Sequence, residues 1–265
     1  MDINGMIAAA VLVGAVGIFV GLFLGVAGLV FKVKVDEREE KVLKALPGNN
    51  CGGCGYPGCS GLAAAIVKGE AEVGTCPVGG DKVAKEIAGI MGVEAGDSQK
   101  MVAFVHCQGD CDKAGTDYEY VGSQDCRMLS FVPNGGPKTC DNGCLGFGSC
   151  VKACPFDAIH VINGVAKVDK EKCKACKKCI AACPKNLISL VPYSSCEIVA
   201  CSSTQKGPDT MKACSVGCIG CGICARNCPV EAVTVTDFHA VIDHDKCVQC
   251  GLCAKNCPKK SIIEM

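Results

Sequence analysis

Three times along the chain, cysteines fall in the run C-x2-C-x2-C-x3-C-P: Cys173/Cys176/Cys179/Cys183-Pro184, Cys218/Cys221/Cys224/Cys228-Pro229 and Cys247/Cys250/Cys253/Cys257-Pro258. This spacing restricts the fold more than any other feature of the sequence. Three thiolates two residues apart on one tight loop can wrap three corners of an iron–sulfur cube. The fourth cysteine then sits on the wrong side of its own loop and ligates the cluster of a partner loop. The proline after it stops the chain from continuing as a helix. Zinc sites usually take two Cys pairs separated by roughly a dozen residues or more, which does not describe these triplets.

An internal repeat pairs the loops. Shifted by 74 residues, Cys144, Cys150 and Cys154 fall on Cys218, Cys224 and Cys228. The same shift brings Cys173, Cys176, Cys179 and Cys183 onto Cys247, Cys250, Cys253 and Cys257, and Cys140 onto Cys214. At one ligand position the copies differ, with Phe147 standing where the second has Cys221. Residues 140–192 and 193–265 therefore read as two bacterial-type 2[4Fe–4S] ferredoxin modules. In the second, one cluster takes Cys218, Cys221, Cys224 and Cys257, and the other Cys228, Cys247, Cys250 and Cys253. In the first, Cys154 joins Cys173, Cys176 and Cys179. The remaining site has Cys144, Cys150 and Cys183, and Cys140 is assigned as its fourth ligand because it is the nearest spare thiol. A three-iron cluster is the alternative there. The short apolar stretches Ala158–Ile162, Leu187–Val191, Ala232–Val235 and Ser261–Ile263 read as the strands of small ferredoxin sheets.

A fifth site is spaced differently: Cys51-x2-Cys54-x4-Cys59-x16-Cys76-Pro77. Its glycines let the backbone fold around a cube and aim N–H groups at the sulfurs. Helices are expected at Asp36–Leu46, Gly61–Lys68 and Lys82–Ile90, so residues 36–91 form a small helical four-Cys domain. Residues 92–139 read as a linker or connecting segment. Gly53-x-Gly55-x-x-Gly58 satisfies a dinucleotide-binding pattern, but it follows a Pro-Gly-Asn-Asn turn instead of a strand. No nicotinamide or flavin site is expected on this chain.

Five [4Fe–4S] clusters use twenty of the 26 cysteines. Cys107, Cys111, Cys126, Cys196, Cys201 and Cys214 remain. A sixth cluster could draw on them, though buried free thiols are the expected state. With so many thiols and only 8 Phe, 4 Tyr and no Trp, the clusters would have to replace an apolar core.

Met6 to Phe31 is 26 residues without a charge, about 39 Å as a helix and enough to cross a bilayer. A signal peptide wants Lys or Arg ahead of its apolar run, and only Asp2 is there. Residues 1–35 are therefore expected to be a single-pass anchor in the cell (inner) membrane. Lys32 and Lys34 place the C-terminal domains in the cytoplasm by the positive-inside rule. That is a reducing compartment, which argues against disulfides. The Gly17, Gly21, Gly25 stripe suits docking against a partner membrane helix. No charge lies within the helix, so a means of moving an ion is not expected in it.

Formal charge is balanced, 27 acidic against 27 basic residues, and no basic stripe with stacking aromatics suggests nucleic acid. Five loaded clusters would add on the order of −10. Lys170, Lys172, Lys174, Lys177 and Lys178 surround one cluster loop and read as a docking patch for an acidic redox protein, or as compensation of cluster charge.

In this order, the anchor, the Leu46-Pro-Gly-Asn-Asn-Cys-Gly-Gly-Cys-Gly-Tyr-Pro-Gly-Cys59 segment and the ferredoxin modules resemble the B subunit of the Rnf electron-transport complex, in the longer form with two modules. The resemblance covers the whole chain. It implies an α+β chain that accepts electrons from soluble reduced ferredoxin and relays them to other Rnf subunits in the membrane. In such a complex, ferredoxin oxidation, NAD reduction and Na+ or H+ movement are coupled, with NAD and flavin bound elsewhere. The alternative is a polyferredoxin wire of another membrane redox enzyme, such as a hydrogenase or quinone reductase.

Overall fold

A computed structural model describes residues 3–30, 36–96 and 99–265. Lys32 and Lys34, on which the orientation rests, lie outside the described residues. Helix α1 (Ile3–Val30) contains Val11–Gly28, a stretch apolar and long enough to cross a membrane, with none of it buried against the rest of the chain. Gly14, Gly17, Gly21, Gly25 and Gly28 have no neighbour where a side chain would stand.

The four-Cys domain is built from α2 (Glu37–Ala45), α3 (Cys59–Lys68) and α4 (Gly80–Met91). Asp36 caps α2, its carboxylate accepting the Arg38 N–H at 2.9 Å. Gly69 and Gly92 end α3 and α4 in the left-handed conformation. Val42, Leu46, Leu62, Ala63, Ile66 and Ile87 form the buried centre.

Beyond it the chain alternates short strands with helical turns. The first half has β1 (Met101–Val105), α5 (Ser149–Ala153), β2 (Ile159–Ile162), β3 (Val165–Val168), α6 (Lys178–Ala182) and β4 (Ile188–Pro192). The second has β5 (Glu197–Val199), α7 (Gly207–Ala213), α8 (Ile223–Arg226), β6 (Val233–Thr236), β7 (His239–Ile242), α9 (Leu252–Lys255) and β8 (Ile262–Glu264). All the strand pairs are antiparallel: β1 with β4, β2 with β3, β5 with β8 and β6 with β7. Asn163 and Gly164 turn β2 into β3 with φ of 48° and 74°, the positive pair that a tight hairpin needs.

The reading of residues 92–139 as a connecting segment is corrected here. Met101–Val105 is a strand of the first module, with Met101 opposite Pro192 and Val105 opposite Ile188. Val102, Ala103 and Val105 are buried, because the run is apolar on both faces and closes the module's core from the N-terminal side.

Those module cores are thin. In the first, Ala103, Val105, Ile159, Ala166, Leu187 and Ile188 surround Cys150 and Cys179; in the second, Val199, Val233, Ala240, Ile242 and Ile262 surround Cys224 and Cys253. Two-stranded sheets of three to five residues do not stand alone in water. Anaerobic chelation of iron from the full chain in detergent is therefore expected to unfold residues 101–265 while α1 keeps its helix. Strand circular dichroism should collapse, and protease cuts should spread through both modules. Retention of both signals after iron removal would show that the protein alone holds the modules.

Candidate iron–sulfur centres

In the four-Cys domain, the segment before α3 folds back on itself. The Asn50 Oδ1 accepts the Cys59 N–H at 2.8 Å and so fixes the start of the helix. Gly58 sits at φ 93°, and a Cβ there would come within 2.9 Å of that same oxygen. Cys54, Cys59 and Cys76 pack against the domain's apolar centre. Burial pushes the Cys76 thiol up, with the neighbouring Cys54 and Cys59 adding to it. Cys51 lies toward the first ferredoxin module, where its charge acts on Cys176. Gly53 lies against the Cys176 backbone, leaving only 2.9 Å between a would-be Cβ and the Cys176 carbonyl oxygen.

The second module brings Cys218, Cys221, Cys224 and Cys257 around one cavity of about 360 Å³. Burial raises the Cys224 thiol, followed by the effects of Cys218, Cys257 and Cys221. On the other side of the core, Cys228 and Cys247 pack with Cys253, whose thiol burial pushes up to about 11. Cys250, on the same loop as Cys247 and Cys253, is exposed. Backbone N–H groups point at the sulfurs: Ala232 at Cys228 (3.3 Å), Ser261 at Cys257 (3.3 Å) and Gln249 at Cys247 (3.4 Å).

The first module gathers Cys154, Cys173 and Cys176 around Cys179, which is pushed up to about 11 by burial and then by those three neighbours. Its other cavity, about 400 Å³, is lined by Cys144, Cys150, Cys183 and Cys126. The Cys150 thiol is pushed up to about 12, first by burial and then by Cys144, Cys126 and Cys183.

The assignment of Cys140 to this site is thus corrected in placement: Cys140 lines a different cavity, together with Cys107, Cys201 and Cys214. The physical reason lies in the insert before it. Cys140 follows Cys107 by 33 positions, whereas Cys214 follows Cys201 by 13. The longer loop folds over the cavity and delivers Cys126, held by its N–H to the Ser149 Oγ at 2.9 Å. Phe147, which replaces a cysteine, packs edge-to-face on Tyr120 of the same insert, with ring centroids 5.5 Å apart. The missing thiol of the loop and the extra thiol of the insert compensate each other. Of the other spare cysteines, Cys111 is exposed, and the Cys196 Sγ donates to the Gln249 Oε1 at 3.1 Å.

These donor sets fit iron–sulfur cubes. Two of the sets, Cys126/Cys144/Cys150/Cys183 and Cys218/Cys221/Cys224/Cys257, ring open cavities, and among the described residues no three of His, Cys, Asp and Glu converge closely enough for a single metal ion. N–H groups aimed at sulfur stabilise the anionic thiolates and sulfides that burial alone disfavours. Lys172, Lys174, Lys177 and Lys178 are exposed around the Cys173–Cys183 loop, Lys172 reaching Asp157 at 3.2 Å. Lys170 is half-buried against the ring of Tyr193.

Comparison with known families matches residues 46–78 to one described as a putative Fe-S cluster. Residues 134–184 match a 4Fe-4S dicluster domain, and a second family of that description matches 172–232 and 217–261. The chain is 46% identical over 245 residues to the B subunit of the Na(+)-translocating ferredoxin:NAD(+) oxidoreductase complex of Acetobacterium woodii, covering 92% of this chain and 73% of that protein. It is 43% identical over 238 residues to the B subunit of the ion-translocating oxidoreductase complex of Methanosarcina acetivorans, covering 89% of each. It is 40% identical over 242 residues to the B subunit of the proton-translocating ferredoxin:NAD(+) oxidoreductase complex of Clostridium ljungdahlii, covering 91% and 85%.

Proposed function

Since the chain belongs to the family of B subunits of ion-translocating oxidoreductase complexes, the Rnf complexes, we propose that it is the entry wire of such a complex, taking electrons from reduced ferredoxin and passing them to membrane partners. Electron transfer is the role of the family, and the 4Fe–4S domains are its means. When bound, the clusters supply one-electron carriers. The protein's part is to hold them in series.

Five clusters are proposed on the thiols described above. Their sets are Cys51, Cys54, Cys59, Cys76; Cys126, Cys144, Cys150, Cys183; Cys154, Cys173, Cys176, Cys179; Cys218, Cys221, Cys224, Cys257; and Cys228, Cys247, Cys250, Cys253. What supports a wire is the contact between the cluster-bearing segments, above all the Gly53 backbone, between Cys51 and Cys54 of the four-Cys domain, lying against the backbone of Cys176 of the first module. In this reading α1 crosses the membrane once, the rest of the chain faces the cytoplasm, and the open glycine stripe meets a helix of another subunit. NAD binding and ion passage are assigned to other subunits. Val11–Gly28 carries no ionisable side chain, and the relatives' names differ in the ion moved.

The donor surface is proposed at the exposed lysines of the Cys173–Cys183 loop. Reversing Lys174, Lys177 and Lys178 to Glu is expected to slow electron delivery from reduced ferredoxin at low salt by roughly 10-fold or more. Added salt should slow the unaltered protein and narrow that gap, as stopped-flow absorbance will show. If neither salt nor charge reversal changes the rate, these lysines only balance cluster charge, and ferredoxin docks elsewhere.

A further inference from the structure

We propose that Cys107, Cys140, Cys201 and Cys214 hold a sixth [4Fe–4S] cluster, seated between the two ferredoxin modules and joining their ligand sets. The proposal rests on reading the neighbouring thiol sets as clusters.

The fold brings these four together from remote positions in the sequence. Strands β1 and β5 each run into a cysteine two residues past their ends, Cys107 and Cys201, and these two pair as an antiparallel bridge. Cys140 and Cys214 precede the cluster loops of the two modules, and Cys214 pairs with Ala114. The four line one cavity. Cys126, Cys144, Cys150 and Cys183 line another, and Cys218, Cys221, Cys224 and Cys257 a third. In each, four cysteines face one opening, which makes the same kind of cage.

Each sulfur is also wrapped as the others are. Cys107 accepts the Cys144 N–H at 3.4 Å, and Cys201 accepts the Cys218 N–H at 3.2 Å. The Asn142 backbone donates to Cys140, and those of Val216 and Gly217 donate to Cys214. Gly109 keeps the cage open: a Cβ there would stand 3.2 Å from the Cys214 sulfur and 3.8 Å from the Cys107 sulfur. Lys138 supplies a separate sign of an anionic occupant. It is 8% exposed, and its Nζ donates to the carbonyls of Gly109 (2.7 Å) and Gly164 (3.1 Å). Among the described residues it makes no salt bridge, yet its charge acts on both Cys144 and Cys214. A buried ammonium without a carboxylate is costly unless an anion lies near. A cube bound by four thiolates, of net charge roughly −2, is such an anion.

The position gives the site its use. Cys144 ligates in the first module and Cys218 in the second, and each donates an N–H to a thiol of the cage. Ligand sets are thereby in contact from one module to the other.

The test counts metal in the full chain purified anaerobically in detergent. The unaltered protein is expected to carry about twenty-four irons and as many sulfides, four per cluster. The Cys107→Ala/Cys201→Ala double variant should carry four fewer, and its fully reduced form one fewer spin by quantitative paramagnetic resonance. A Cys111→Ala/Cys196→Ala control, outside the cage, should lose nothing. Gly109→Val fills the cage while leaving every ligand in place, and is expected to lose the same four irons. Twenty irons in the unaltered protein, unchanged in the double variant, would overturn the sixth cluster and leave the five. One zinc per chain lost with Cys107 and Cys201 would overturn it in favour of a structural ion. An unaltered protein without iron would sink the five-cluster reading as well.

Discussion

Replacing Cys126 with alanine is expected to turn one four-iron centre into a three-iron centre, while replacing Cys140 leaves that centre whole. The cavity beside α5 has three thiols from the loops, Cys144, Cys150 and Cys183, and its fourth from the insert, Cys126. Without Cys126 the cube has one unprotected corner, which gives up its iron on oxidation. The Cys126→Ala protein should lose one iron per chain and, when oxidised in air, gain the paramagnetic signal of a three-iron cluster. Cys140→Ala should instead affect the cage of Cys107, Cys201 and Cys214. Alanine is the right replacement, since serine offers an oxygen that can ligate. The opposite pattern, a three-iron signal from Cys140→Ala and none from Cys126→Ala, would restore the ligand set that spacing alone suggests. The stability of the loop should not confuse the comparison: Cys126 is anchored through its backbone N–H to the Ser149 Oγ, which the substitution leaves in place.

The contrast between these two cysteines shows what the sequence makes legible. A C-x2-C-x2-C loop is local, so its three ligands can be read directly. The trailing cysteines become legible through the repeat, because each module's two loops are equivalent. Strands β2, β4, β6 and β8 follow the trailing cysteines at fixed distance and are found where the apolar stretches lie. Strand β1 is different. Its partner β4 lies more than eighty residues away, and nothing local marks Met101–Val105 as the edge of a module. The cysteines just beyond β1 and β5 are hidden for a related reason. Cys107 and Cys201 are equivalent in the fold but 94 positions apart, so a gapless superposition at 74 never aligns them. Phe147 announces that a ligand is missing. Only the folding of the insert, with Tyr120 on Phe147 and Cys126 over the cavity, says which thiol replaces it.

The contacts between ligand sets give the centres an order. The Cys51–Cys54 loop meets Cys176 through the Gly53 backbone; Cys173, Cys176 and Cys179 share a module with Cys144 and Cys150; Cys107 and Cys201 stand between Cys144 and Cys218. The four-Cys domain is thus one end of the series and the loop carrying Cys250 the other. Between the domain and the first module, Gly53 provides a point where the series can be interrupted without removing a ligand.

Gly53→Leu is expected to leave every centre loaded while slowing electron exchange between the four-Cys domain and the rest of the chain. The backbone of Gly53 rests on that of Cys176, and a Cβ would stand 2.9 Å from its carbonyl oxygen, 3.0 Å from its Cα and 3.2 Å from its carbonyl carbon. Backbone atoms cannot swing aside as the end of a flexible side chain can, so the domain itself must move. Overpacking of this kind costs about 1–3 kcal/mol, which would weaken docking roughly 5–150-fold. Gly53 lies outside the left-handed region, so the contact is the cause of the effect, and Gly53→Ala should give a smaller slowing in the same direction. Iron content should match the unaltered protein in both variants. Freeze-quench paramagnetic resonance after rapid reduction should show the signals of the domain and of the modules rising at separate rates, with weaker magnetic coupling between them. Equal rates and unchanged coupling in Gly53→Leu would mean that the contact at Cys176 is not the electron path into or out of the four-Cys domain.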